Sequence, residues 1–291
     1  MYHKVNQFVS RFRDLEQKEF IPTGEEERQW KTLKEKLALP QLAEQLETFT
    51  RKCICVTSLY SQAGASFVAG NIAYAWAGKG VPVTLCELPN TMSYFYFALD
   101  YERRTHQRVN HSTSLLLMQN NHLRIQMESP LNLQQTPSST DIASWLLKVS
   151  KDSPIVIIDI SSCWKEDDAK KVFEMADEIW VVIDADLARL TRLFLTETAP
   201  TWWTSQKGKI RLIANKWNNQ LSKSNILKKV EGTLSLWNGE YTASKVECMM
   251  PLIDGERTAI AHSKGNLLLE AFSEEESEFQ SLIHAYKGRM L

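Results

Sequence analysis

The 291-residue chain contains no run of about 18 consecutive apolar residues, so no membrane-spanning helix is expected. Its N-terminal stretch, MYHKVNQFVSRFRDLEQKEF, is polar and lacks the apolar core of a secretory signal. That points to the cytoplasm, with peripheral attachment at the inner face of the membrane left open. An excess of either charge is also missing. With 34 basic and 35 acidic residues the formal net charge is -1, so nothing draws the whole molecule to nucleic acid or to an anionic bilayer, and nucleic acid is not an expected partner. The five cysteines (Cys53, Cys55, Cys86, Cys163 and Cys248) include no C-x-x-C pair, and most fall in or beside strand-like apolar runs, as small hydrophobes do in a reducing compartment. Cys53 and Cys55 are read as pointing to opposite faces of one strand, which disfavours a metal site. The six histidines are scattered and make no ligand cluster, and there is neither an internal repeat nor a low-complexity stretch.

What is present is enough chain for one large α/β domain and an appendage. The organising stretch runs from Lys52 to Asn90, KCICVTSLYSQAGASFVAGNIAYAWAGKGVPVTLCELPN. Cys53 to Ser58 is short, apolar and β-branched, as a strand covered on both faces should be. Gly64 sits in a turn of small residues, and Ser66 opens a helix with Ile72, Ala73 and Trp76 on one face. Gly78 and Gly80 end it, and Pro82 to Leu88 resumes a strand. A strand–turn–helix unit of this kind offers backbone N–H groups at a helix N-terminus, where phosphate binds in P-loop proteins.

Residues 1–50 read as a helical N-terminal extension and 51–291 as the main domain. In the extension, Phe8, Phe12 and Leu15 have helical spacing, Thr23 to Glu26 forms a capping box, and Pro40 fits the first turn of another helix. Packing onto the main domain is the plain reading, a partner-binding arm the sharper one. Past the organising stretch, TMSYFYFALDYERR is predicted helical. Thr105 to Asn121 is loop-like around the apolar run Leu115 to Met118, Leu123 to Met127 is a short strand, and Pro130 to Pro137 is a loop. Asp141 to Ser150 is an amphipathic helix through Ile142, Trp145, Leu146 and Val149. The runs PIVIID (ending at Asp159), EIWVVID (ending at Asp184), KIRLIAN (ending at Asn215) and Lys245 to Pro251 are strands, with helices between them. Alternating strands and helices predict a mostly parallel, doubly wound sheet with helices on both faces. Ligands bind beyond the carboxyl ends of such strands, which here carry Gly64 to Ser66, Glu87, Asp159, Asp184 and Asn215.

The order of these motifs resembles the MinD/ParA family of P-loop ATPases, which use a deviant Walker A loop, K-G-G-x-G-K-[ST]-[ST], followed by a helix with A-x-N-L-A. Here the loop reads Tyr60-Ser61-Gln62-Ala63-Gly64-Ala65-Ser66-Phe67, and Ala69-Gly70-Asn71-Ile72-Ala73 fixes the register without gaps. The resemblance covers roughly residues 52–270 and implies a P-loop NTPase fold. It also implies a nucleotide site at Gly64, Ala65, Ser66, Phe67 and Asn215, with Ser66 and Asp159 on Mg²⁺, and ATP or ADP with magnesium as the ligand. The implied catalytic carboxylates, if the chain is active, are Glu87 and Asp159. The departures fall on the charges: the P-loop lysine is Ala65, the signature lysine that reaches a partner subunit is Tyr60, and the D-x-D pair on the second strand has become Glu87-Leu88-Pro89. Phosphoryl transfer depends on neutralising charge that builds on the transferred group. The expected function is therefore that of a catalytically degenerate MinD/ParA-like factor for localisation, assembly or regulation, working through protein partners. Within the family the specific expectation is a factor like the TadZ/CpaE group, whose P-loops are eroded and which position pilus or secretion machinery. The alternatives are an active ATPase that positions DNA, a septum or an appendage, and a regulator that holds nucleotide without turning it over.

Three further features invite partners. Tyr94, Phe95, Tyr96 and Phe97 are consecutive and cannot all face one core, so some are expected at the surface, where a homodimer or partner face would lie. Trp202 and Trp203 follow Pro200 in a loop-like segment beside Lys207, Lys209 and Arg211, and packing is favoured there over stacking on nucleic acid. The C-terminal helix sets Phe279, Leu282, Ile283, Tyr286 and Met290 on one side. Docking on the domain is favoured over direct membrane binding, because Glu274, Glu275, Glu276 and Glu278 would repel anionic lipid.

Overall fold

The computed structural model describes residues 51–105, 114–130, 141–217, 223–237 and 246–287. The N-terminal extension, the stretch 131–137 and Met290 lie outside the described residues. Eight strands form one sheet: β1 (Lys52–Ser58), β2 (Val83–Glu87), β3 (Ser114–Met118), β4 (Leu123–Glu128), β5 (Ile155–Ser161), β6 (Glu178–Ile183), β7 (Ile210–Trp217) and β8 (Val246–Pro251). Their order is β3-β4-β2-β5-β1-β6-β7-β8, parallel throughout except for β3, which runs antiparallel to β4. The apolar runs read as strands are buried on both faces because helices cover both, as a parallel sheet requires.

One face is covered by α1 (Ala65–Gly78), α2 (Tyr94–Ala98), α3 (Tyr101–Thr105), α10 (Leu268–Ala271) and α11 (Glu276–Lys287). The other carries α4 (Ile142–Val149), α5 (Asp167–Met175), α6 (Leu187–Thr196), α7 (Thr201–Ser205) and α8 (Lys223–Leu234). Between β8 and α10 runs α9 (Gly255–Ser263). The amphipathic patterns place these helices as expected: Ile142, Leu146 and Val149 of α4 are buried, and so are Ala169, Val172 and Phe173 of α5. On α11, Phe279, Leu282 and Ile283 are buried in the core shared with α1, so its apolar face is taken up by the domain.

Three expectations change. Leu115 to Met118 is the edge strand β3 and not part of a loop. Leu115 and Leu117 are buried while Leu116 and Met118 are exposed, so the strand does alternate, but four apolar residues in a row hide a period of two. Cys53 and Cys55 share a face, both packing among the residues on the α5 side, because strand residues two apart point the same way. Trp202 and Trp203 lie on α7 and not in a loop, 2% and 1% exposed, within a cluster containing Phe173, Phe194 and Trp237. Pro200 precedes the first helical residue, where its fixed φ and missing N–H suit a helix start. The aromatic run on α2 divides as expected, Phe95 fully buried and Phe97 exposed.

Because Trp203 is a core residue, Trp203→Ala should cost about 3–5 kcal/mol of unfolding free energy. Urea melts would show this as a lower midpoint with an unchanged slope, whereas a surface tryptophan would move the midpoint little.

Candidate functional site

The carboxyl ends of β1, β2, β5, β6, β7 and β8 converge on the loop between β1 and α1. Gly64, the N-cap of α1, has φ +104°, and a Cβ there would fall 2.2 Å from Nδ2 of Asn215. Glycine is thus required twice, for the left-handed backbone and for the close approach. No side chain caps α1, so its first-turn N–H groups keep the positive end of the helix dipole open toward the loop. Ser66 is the second residue of α1 and places its hydroxyl 2.8 Å from that of Ser161.

Each carbonyl from Leu59 to Ala63 accepts a hydrogen bond from a side chain: Leu59 from Trp164 Nε1 (3.0 Å), Tyr60 from Ser58 Oγ (2.9 Å), Ser61 from Arg189 Nη1 (3.2 Å), Gln62 from Lys216 Nζ, and Ala63 from Asn215 Nδ2 (2.9 Å). The donors come from β1, the β5–α5 connection, α6 and the end of β7. Lys216 can reach because β7 is bulged there. The register shifts between Ala214 and Trp217, and Lys216 adopts φ +55°, which turns its side chain over the loop. Sequence reasoning missed both Arg189 and Lys216 as cations beside the loop. Lys52 and Lys79 lie at the far ends of their elements, where they pair with Glu178 and Glu276.

The predicted site residues are gathered here, but most are engaged. Ala65 is 4% exposed and packed in the core, where a lysine side chain would be overpacked. Tyr60 turns along the end of β6: its hydroxyl donates to Asp184 Oδ1 (2.9 Å) and accepts from the Asp184 N–H (3.2 Å), under the guanidinium of Arg189. Asn215, 2% exposed, spends its amide on the Ala63 carbonyl. Asp159 accepts from the Ser161 N–H (2.8 Å) and lies 3.3 Å and 3.4 Å from the Ser161 hydroxyl. Ser66 and Asp159 are therefore joined through Ser161. Burial pushes the Asp159 carboxyl up to about 6 against the pull of these hydrogen bonds.

Glu87, beside Asp159 in register, accepts from Ser93 Oγ and from the N–H groups of Tyr94 (2.6 Å) and Phe95 (2.9 Å), which fastens the start of α2. Burial raises its carboxyl to about 7. Phe67 and Tyr94 wall a cleft of about 480 Å³ beside Gly64, closed opposite by Leu252, Ile253 and His262, with Lys216 at its margin. Tyr94 Oη and His262 Nε2 are 3.2 Å apart across it. Among the described residues no group of three or more His, Cys, Asp or Glu is placed to hold a metal ion. A hydroxyl and a carboxylate would suit magnesium, but both already bond within the chain, and the loop supplies no cation for a β- or γ-phosphate. The donor set does not fit an Mg-nucleotide poised for transfer.

Since Glu87 ionises near 7 in the fold against an ordinary 4.5, the folded chain keeps a proton that the unfolded chain has lost. That contribution is fully present below the ordinary value and is lost as pH rises through about 7. Asp159 acts in the same sense up to about 6, and Glu128 shares the upper window. Urea unfolding across this range should show stability falling with pH, and Glu87→Gln should make the fall shallower between about pH 4.5 and 7. An unchanged slope in the variant would refute the assignment.

No family model matches the chain, and no curated protein matches it. Solved structures do. The cell division ATPase MinD of Pyrococcus furiosus superposes with a TM-score of 0.60 at 11% identity, over 82% of this chain and 99% of that one. A ParA family ATPase from Chlorobium tepidum gives 0.56 at 14% identity, over 81% and 97%. A chain of the MinC:MinD cell division protein complex of Aquifex aeolicus gives 0.57 at 15% identity, over 81% and 96%. At such identities the likeness is one of architecture: this chain has the P-loop NTPase fold of the MinD and ParA ATPases.

Proposed function

We propose that the chain is a catalytically degenerate protein of MinD/ParA fold that acts by binding protein partners, as a localisation, assembly or regulatory factor. The observation that carries this reading is the loop itself. Where a working loop has its lysine, Ala65 is packed in the core, and the carbonyls from Leu59 to Ala63 are all bonded to the chain's own side chains. Removing one electrostatic donor from a transition state typically costs about 3 kcal/mol, and two cationic positions are gone, Tyr60 and Ala65. Arg189 and Lys216 do not stand at the lost positions: they lie outside the loop, on α6 and near the end of β7, each holding a loop carbonyl.

Glu87 supports the same reading, since its oxygens hold the start of α2. Protein partnership has a precedent in the fold, as MinD of Aquifex aeolicus is found with MinC. A factor of the TadZ/CpaE type, set against a membrane-associated pilus or secretion assembly, with self-association through the α2 region where Phe97 is exposed, is the specific form we propose. One observation favours a second reading, nucleotide held without turnover: α1 has no side-chain cap and opens beside the cleft at Gly64.

Calorimetry with ATP and magnesium, together with a phosphate-release assay, tests these readings. No release above background is expected, and Asp159→Asn should change nothing. Turnover that Asp159→Asn abolishes would overturn the proposal in favour of an active ATPase. Binding without release would select the second reading.

A further inference from the structure

The cleft between the loop and the β8–α9 connection has a one-sided charge. Its ionisable lining residues are Lys216, His262 and Tyr94, and no carboxylate is among them. Lys216 has no carboxylate partner among the described residues, and its ammonium rests on a neutral carbonyl, that of Gln62. The bulge in β7 holds the cation in this place. The uncapped N-terminus of α1 adds a partial positive charge from the same side. The remaining wall is apolar: Phe67, Tyr94, Ile253 and Leu252, the last 61% exposed. An apolar cleft with an uncompensated cation at its margin is complementary to an apolar side chain flanked by a carboxylate.

We infer that this cleft seats an acidic segment of a protein partner, an apolar side chain entering between Tyr94 and Leu252 and a carboxylate meeting Lys216. The inference rests on the protein-partner reading and names the chemistry of that partner. A basic segment would meet Lys216 with like charge. A nucleotide would find the amide nitrogen of Asn215 spent on Ala63 and no loop cation for its phosphates. Seating a segment here also engages α2, because Tyr94 belongs both to the cleft wall and to the cap made by Glu87.

The test uses the full chain and three short fluorescein-labelled peptides with the same leucine and phenylalanine anchors, spaced by glutamate, serine or lysine, read by fluorescence anisotropy. The glutamate peptide should bind best and weaken with added salt. Lys216→Glu should weaken it at least about tenfold. Leu252→Ser, at an exposed position that leaves the fold intact, should weaken the glutamate and serine peptides alike. Binding of none of the three, equal binding of the lysine peptide, or an affinity unmoved by both variants would overturn the inference. So would displacement of the glutamate peptide by ATP with magnesium in a manner that depends on Lys216. The degenerate reading fails separately: phosphate release with peptide affinity intact would refute that reading alone.

Discussion

Everything at this site depends on the direction in which the loop's carbonyls point. From Leu59 to Ala63 they point to side chains of other elements and are held by a tryptophan, a serine, an arginine, a lysine and an asparagine drawn from four parts of the chain. A buried or half-buried carbonyl left without a donor is costly, so each bond matters more by its absence than by its net strength. The loop is therefore fixed by the elements around it as much as by its own residues. It joins β1, β5, β6 and β7 at one end of the sheet, which makes it structural whether or not anything binds there.

That arrangement accounts for how the loop keeps its shape with no lysine at positions 60 and 65. Its shape comes from Gly64 and these carbonyl bonds, neither of which needs a charge at positions 60 or 65. Tyr60 uses the same place to tie β1 to the end of β6 through Asp184, and Ala65 deepens the core beneath α1. The carboxylates follow suit. Glu87 fastens α2 to the sheet and Asp159 fastens the turn at Ser161, so groups that would orient water or metal in an ATPase serve here as anchors.

Most of the fold could be read before the structure, because a buried parallel strand leaves an unmistakable mark: PIVIID, EIWVVID and KIRLIAN could hardly be anything else. The edge was harder. In β3 Leu116 and Met118 are exposed, so within the run Leu115 to Met118 no polar residue marks the outer face. Trp202 and Trp203 looked like loop residues because α7 is a short helix that follows a proline. The site was legible only where the motif is local. Gly64, Ser66, Asp159 and Asn215 could be assigned from register, but Arg189 and Lys216 reach the loop from 128 and 154 residues away. Nothing in a single sequence announces that a bulge will turn Lys216 toward Gln62. The pairing of Cys53 with Cys55 was misread for a simpler reason, since a period of two returns a strand to the same face.

The interlock of Gly64 with Asn215 reaches beyond this chain. The amide of Asn215 occupies the space that any other residue at 64 would need for its Cβ. Positions 64 and 215, on separate elements and far apart in sequence, are thus not free to vary one at a time. In any descendant that gains a side chain at the loop's end, the residue at the end of β7 must shorten in step and the Ala63 carbonyl must find a new donor. Change at this site is confined to paired steps, which is one physical reason the shape of the loop can persist while its side chains vary.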